Sequence, residues 1–193
     1  MLILASASPR RQEILRNAAI PFVVQPSDVP EVPLPGEAPE GYAERLAREK
    51  ALAVAQLRPE DVVLGADTVV VVGQEILEKP KDARDAARML RLLSGKTHEV
   101  ITGVCLVKLR TENRELRTAL ESTQVTMRKL TDQDIRAYIA TGEPMDKAGA
   151  YAIQGIASRW ISRIEGDYFN VVGLPVALVY RMLQEMDADL AVG

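Results

Sequence analysis

The run Val62-Val63-Leu64-Gly65-Ala66-Asp67-Thr68-Val69-Val70-Val71-Val72 constrains the fold most. Eleven residues dominated by β-branched and apolar side chains predict a strand buried in a sheet. Gly73-Gln74 follows as a two-residue turn with glycine first, so Glu75-Ile76-Leu77 is expected to return as the second arm of a hairpin. A carboxylate in the middle of such a strand is costly to bury unless it is paired.

Around this strand the pattern alternates. Leu2 to Ala5 and Phe22 to Val24 read as short strands. They are separated by a helix opened by Ser8-Pro9 and running to about Ala18, with Ile14, Leu15 and Ala18 inward. Gln25 to Pro39 holds five prolines and one glycine and is expected to be an ordered loop or a lid. A helix follows from about Tyr42 to Leu57, with Ala43, Leu46, Ala47, Val54 and Leu57 inward. Ala86, Met89, Leu90 and Leu93 form a helical stripe ending at Gly95. Val100 to Lys108, Thr123 to Met127 and Trp160 to Ile164 read as strands. Thr131-Asp132-Gln133-Asp134 reads as a capping box for a helix to Gly142. Pro175 is expected to start a last helix, with Val176, Val179, Tyr180 and Leu183 inward. Strands alternating with helices, with hairpins among them, predict an α/β fold: a mixed sheet flanked by helices, as a single domain over 1–193.

Bulk properties narrow the function. A net charge of -3 and a pI near 5.4 argue against a nucleic-acid polymer or an anionic membrane as the main partner. Met1 to Ala5 lacks a basic flank, and no stretch approaches the ~18 apolar residues of a spanning helix, so a cytoplasmic chain is expected. Cys105 and His98 are the only residues of their kinds, which leaves a metal to be held mainly by oxygen ligands, the preference of magnesium or manganese. Cys105 and Trp160 read as core and His98 as structural. Gly95-Lys96-Thr97 resembles the end of a P-loop but follows a helix and reads as its C-terminus.

Several residues break local rules. Ser8 and Pro9 suit an N-cap and first helical position, yet Arg10 and Arg11 then occupy the first turn, against the helix dipole. A bound anion would reverse that penalty; the alternative is two solvated arginines. On the first reading their role is ligand binding rather than stability. Lys50 falls on the apolar stripe of its helix, either as a functional ammonium or snorkelling at the edge. Asp67 calls for a metal, a lysine or a reacting water as partner, or else caps a turn at 65–67. Lys79, after the hairpin, returns towards the level of Asp67 unless it is simply solvated. Asp146 to Gly155 is rich in small residues that permit close approach to a ligand, and Gln154 there offers both a donor and an acceptor to a base edge.

Taken in order, these segments resemble the Maf family of nucleotide pyrophosphatases of Maf/Ham1 type. The resemblance rests on Leu4-Ala5-Ser6-Ala7-Ser8-Pro9-Arg10-Arg11, Leu46-Ala47-Arg48-Glu49-Lys50-Ala51, Gly65-Ala66-Asp67-Thr68-Val69-Val70 and Glu78-Lys79-Pro80. It continues through Leu93-Ser94-Gly95-Lys96-Thr97-His98, Asp146 to Tyr151 with Ile153-Gln154-Gly155, and Gly173-Leu174-Pro175. It spans nearly the whole chain. One departure is Pro30, where many relatives carry an acidic residue before the glutamate matched by Glu31.

The resemblance implies an elongated mixed sheet with helices around a central cleft, an ITPase-like fold, usually as a homodimer. It implies hydrolysis of a nucleoside triphosphate (dTTP, UTP or a modified pyrimidine nucleotide) to monophosphate and pyrophosphate with a divalent cation, Mg or Mn. The Asp-Lys-Ala-Gly-Ala-Tyr run followed by Ile-Gln-Gly resembles the dTTP/UTP branch; a sister branch acts on 7-methyl-GTP. Carried onto this sequence, the metal ligands are Glu31 and Asp67. Asp67 is also the base that deprotonates the attacking water, with Lys50 and Lys79 as further catalytic residues. Ser8, Arg10, Arg11, Thr68 and Gln154 bind substrate, the last two at the base. A nucleotide-binding regulator of septum formation with little turnover is the alternative from a different class.

Overall fold

In the computed structural model, which describes residues 1–109 and 114–186, the valine-rich run is strand β3 (Val62–Val72). It joins one seven-stranded sheet with β1 (Leu2–Leu4), β2 (Val23–Val24), β4 (Glu75–Leu77), β5 (Thr97–Leu109), β6 (Arg114–Met127) and β7 (Ile161–Glu165). The order is β2-β1-β3-β5-β6-β7, with β4 paired to β3. β1 is parallel to both β2 and β3, with Ile3 opposite Val23 and Leu2 opposite Val62. Parallel neighbours need crossovers, and two helices supply them: α1 (Pro9–Asn17) between β1 and β2, and α2 (Pro39–Ala55) between β2 and β3. The β3–β4 and β6–β7 pairs are antiparallel, so the sheet is mixed as the pattern predicts. Gly73 takes φ 63° at the first turn position of the β3–β4 hairpin, a conformation open to glycine at little cost.

The chain divides into two compact units. The first is Met1–Asp67, Thr102–Glu121 and Gly173–Gly193; the second is Thr68–Ile101 and Ser122–Val172. In the first unit Ile3, Val63, Cys105 and Val107 of the sheet, with Ala5 just beyond β1, pack against Ala47, Ala51, Val54 and Ala55 of α2. Gly65 and Gly103 explain how close α2 lies. A Cβ at Gly65 would overlap the Ala47 carbonyl oxygen, and one at Gly103 the Ala43 carbonyl oxygen. The helix backbone therefore rests directly on the strands. Leu57, expected on the buried stripe, is exposed because α2 ends at Ala55. The last helix, α6 (Val176–Glu185), buries Leu178, Val179, Met182 and Leu183, whereas Tyr180 is exposed. Val179 and Leu183 are inward as expected, Val176 is half buried, and the buried face extends to Leu178 and Met182 in place of Tyr180.

The second unit packs α3 (Ala83–Leu93) through Ala86, Met89, Leu90 and Leu93, as its stripe predicts, and Gly95 beyond its end has φ 72°. The capping box forms on α4 (Asp132–Ala140): Thr131 Oγ1 accepts from Asp134 N and Asp134 Oδ2 accepts from Thr131 N. Between α4 and β7 the small-residue stretch is broken into 3-10 turns at Glu143–Asp146, Ala148–Ala150 and Ile156–Trp160. Trp160 ends the last of these instead of starting the strand, and it is buried with its ring edge-on to Tyr138. A single helical turn, α5 (Tyr168–Val172), was not foreseen. No helix among the described residues is long and apolar enough to cross a membrane.

Candidate active site

Asp67 lies inside β3, not in a turn, so the turn-capping reading of 65–67 falls away. Side chains two apart on a strand share a face. Gly65 faces Ala47 and Ala51 of α2, so Asp67 faces the same helix one step further on. Lys50 lies between Ala47 and Ala51 in sequence. The close seat of α2 on Gly65 brings its ammonium to the carboxylate: Lys50 Nζ donates to Asp67 Oδ1 at 2.6 Å and to Glu31 Oε1 at 2.5 Å. Lys50 is 6% exposed and Asp67 7%. The lysine is thus a buried ion-pair partner, not a residue snorkelling at the stripe edge.

Glu31 reaches this pair from the proline-rich loop, and its side chain stays half exposed. The loop is held in place. Arg45 of α2 donates through Nε and Nη2 to the two oxygens of Glu37 at 2.6 and 2.8 Å, and through Nη2 to Val32 O at 3.0 Å. Bidentate pairing of this kind fixes geometry as well as charge. The sequence reading missed Arg45: a loop-anchoring arginine and a surface i,i+4 arginine (here to Glu49, 3.2 Å) look alike in one dimension.

Arg11 is the largest departure from expectation. It is buried, and its guanidinium donates to Gly173 O at 2.8 Å, to Ala66 O at 2.9 Å and to Ser6 Oγ at 3.1 Å. Burial pulls its pKa below the usual value, against the stabilising fields of Asp67 and Glu31. It therefore braces the backbone on either side of the site, a structural duty the reading from helix dipole alone did not assign. Ser8 caps α1, its Oγ accepting from Arg11 N at 3.4 Å. Arg10 is half exposed in the first turn. The first unit therefore gathers Glu31, Lys50, Asp67 and Arg11 into one charged cluster.

Burial pushes the Asp67 carboxyl above its ordinary pKa; the charge and hydrogen bond of Lys50, then Arg11, oppose this, and Glu31 adds to it. A carboxyl whose pKa is raised is a stronger base when ionised than a solvated one, and its cationic neighbours favour that ionised form. Glu31 and Asp67 also converge on one ammonium, so two hard oxygen-donor carboxylates stand close together with Lys50 Nζ between them. Magnesium uses one or two carboxylates with phosphate oxygens and water, and the pair fits that donor set. Among the described residues no group of three or more His, Cys, Asp or Glu could hold a metal by itself.

The second unit carries Thr68, Lys79 and Gln154. Thr68 is half buried on β3, and Lys79 is exposed just beyond β4, where the chain runs back in the direction of Thr68. Gln154 is exposed on a loop pinned at several points. Gly149 N donates to Glu78 O, and Tyr151 Oη lies 2.7 Å from His98 Nε2. Gly149, at φ 68°, packs on Val70, where a Cβ would meet the valine at 3.0 Å. His98 is buried and burial holds its pKa down to about 4, so it is neutral and structural, as its place in the sequence suggests. Cys105 is buried, with its thiol pushed up to about 12, and plays no nucleophilic part.

A family model described as "Maf-like protein" matches residues 1–186. A protein of Koribacter versatilis (strain Ellin345) named dTTP/UTP pyrophosphatase is 61% identical over 183 residues, 95% of this chain and 93% of that protein. One of the same name from Geobacter sulfurreducens is 50% identical over 187 residues, 97% of each. The Ham1 protein of Staphylococcus aureus, a solved structure, is similar at 13% identity and a TM-score of 0.49, covering 96% of this chain and 98% of that one.

Proposed function

The chain belongs to the Maf family, and from that premise we propose that it is a nucleoside triphosphate pyrophosphatase acting on dTTP, UTP and modified pyrimidine nucleotides. The observation that carries the reading is the buried Lys50–Asp67 pair at 2.6 Å, a carboxylate kept inside a valine-rich strand by a cation. Structure alone would be better served by two apolar residues there, so the pair is retained for chemistry.

Asp67 holds a water and takes its proton as the oxygen attacks the α-phosphorus; pyrophosphate leaves. Lys50 favours the ionised form of Asp67 before the attack and neutralises charge that builds on the phosphates. Arg10, at the N-terminal turn of α1, and Lys79 bind the triphosphate. Ser8 adds a hydrogen bond to it. Arg11 adds its field from behind while holding the Ala66 carbonyl, which fixes the backbone that carries Asp67. Thr68 and Gln154 read the base. Glu31 and Asp67 hold a divalent cation, magnesium or manganese, which when bound offsets the negative charge of the triphosphate oxygens. The protein acts as a cytoplasmic homodimer.

The test is a panel of nucleoside triphosphates with magnesium or manganese, with products separated by chromatography. Monophosphate and pyrophosphate from dTTP and UTP support the proposal. Diphosphate and orthophosphate, or no turnover of any triphosphate, would reject it.

A further inference from the structure

Gln154 is exposed on an irregular loop, yet base reading needs its amide held in one place. The backbone two residues to either side of it is clamped by a network that the sequence reading did not single out. Tyr138, on α4, is fully buried, and its hydroxyl accepts from Ala152 N at 3.2 Å while donating to Glu143 Oε1 at 2.8 Å. Both oxygens of Glu143 accept from Ile156 N, at 3.0 and 3.2 Å. Between these points Gly155 N donates to Ala152 O, closing a tight turn around Gln154.

The fit is close. A Cβ on Gly155 would overlap the Glu143 carboxylate, so the carboxylate lies flat against the glycine. Glu143 itself is fixed by Gly142, at φ 77°, and by Lys147 Nζ, which donates to Glu143 O at 3.0 Å. Charge-assisted bonds from a carboxylate to backbone N–H groups are among the stronger ones available to a loop. Held this way, the loop tip presents Gln154 without a disordered search for the bound geometry, and preorganisation of that kind favours one base edge over another.

We propose that Glu143 and Tyr138 are positioning residues for base selection: they hold the Ala152–Ile156 backbone so that the Gln154 amide meets the pyrimidine edge. This rests on the reading of Gln154 as a base contact. The class of ligand recognised is a pyrimidine nucleoside triphosphate, discriminated from its purine counterpart.

The experiment measures kcat/KM for UTP and GTP in the full chain and in Tyr138→Phe, Glu143→Gln and Gln154→Ala, with thermal melts beside them. Tyr138→Phe keeps the ring contact with Trp160 and removes only the hydroxyl. Glu143→Gln is the second variant if the first fails to fold. The preference for UTP should fall about tenfold in each of the three, mainly through KM, since an oriented polar contact discriminates by at least this much. Tyr138→Phe added to Gln154→Ala should lower the preference no further. Loss of preference in Gln154→Ala, with none in the Tyr138 and Glu143 variants, would overturn the positioning role and leave the base contact standing. An unchanged preference in Gln154→Ala would overturn both. A lowered melting temperature with the preference intact marks the clamp as structural only and overturns the inference.

Discussion

The two units solve different problems with different polar groups. In the first, charged side chains stand on regular elements: Asp67 on β3, Lys50 on α2 and Arg11 on α1 are each less than a tenth exposed. In the second, the candidate recognition group is a neutral amide on an irregular loop, held by Tyr138, Glu143 and the uncharged His98–Tyr151 contact. Reactive charges gain from desolvation, which raises the Asp67 pKa, and they need a rigid backbone because an error of one ångström is costly. A base contact needs a shaped turn that only small residues and a positive φ can make, as at Gly149.

The largest expected effect probes the charged region. Asp67→Asn keeps the shape but removes the base, so turnover should fall by about two to four orders of magnitude. A carboxyl whose folded pKa is raised stabilises the fold only at low pH, when it is protonated, and that contribution is lost as pH rises through the folded value. Asparagine also takes one of the two carboxylates from the buried Lys50 ammonium, so the melting temperature of the variant should fall. Single-turnover kinetics and thermal melts check both, and turnover within a few-fold of the parent would end the case for Asp67.

Arg11→Ala separates brace from ligand contact. It removes the buried guanidinium bonds to the carbonyls of Ala66 and Gly173, and should cost about 3 kcal/mol of stability together with activity. Denaturant titration reads the first. A loss of activity with unchanged stability would return Arg11 to the purely ligand-binding role suggested by the helix dipole.

The neutral region is sharpened by pH. His98 has a folded pKa of about 4 against an ordinary 6.5, so the folded state binds fewer protons between these values. Stability is therefore complete above pH 6.5 and declines as pH falls towards 4, by at most about 3 kcal/mol. His98→Gln should flatten that slope. A slope unchanged in the variant would assign the acid sensitivity to other groups.

Much of this was legible in one dimension because it obeys local rules. The β3 run, its hairpin, the α3 stripe and the Thr131 capping box all formed as their patterns demand. Lys50 and Asp67 stood out because they violate burial rules at their positions. What stayed hidden depends on partners far along the chain. Arg11 is tied to Gly173, and Arg45 reaches back to a loop whose conformation no pattern specifies. Glu143 reads as a loop carboxylate until the fold brings Ile156 against it. β6 runs from Arg114 rather than Thr123 because its first half is partly exposed and polar, which conceals a strand paired at the edge of the apolar core.

The central claim is that water, activated by Asp67, attacks the α-phosphorus. Hydrolysis of UTP in 18O-labelled water, with products resolved by mass spectrometry, reads the attacked atom directly. The account predicts one label in the uridine monophosphate and none in the pyrophosphate. Label in pyrophosphate or in orthophosphate would place the attack elsewhere and contradict it.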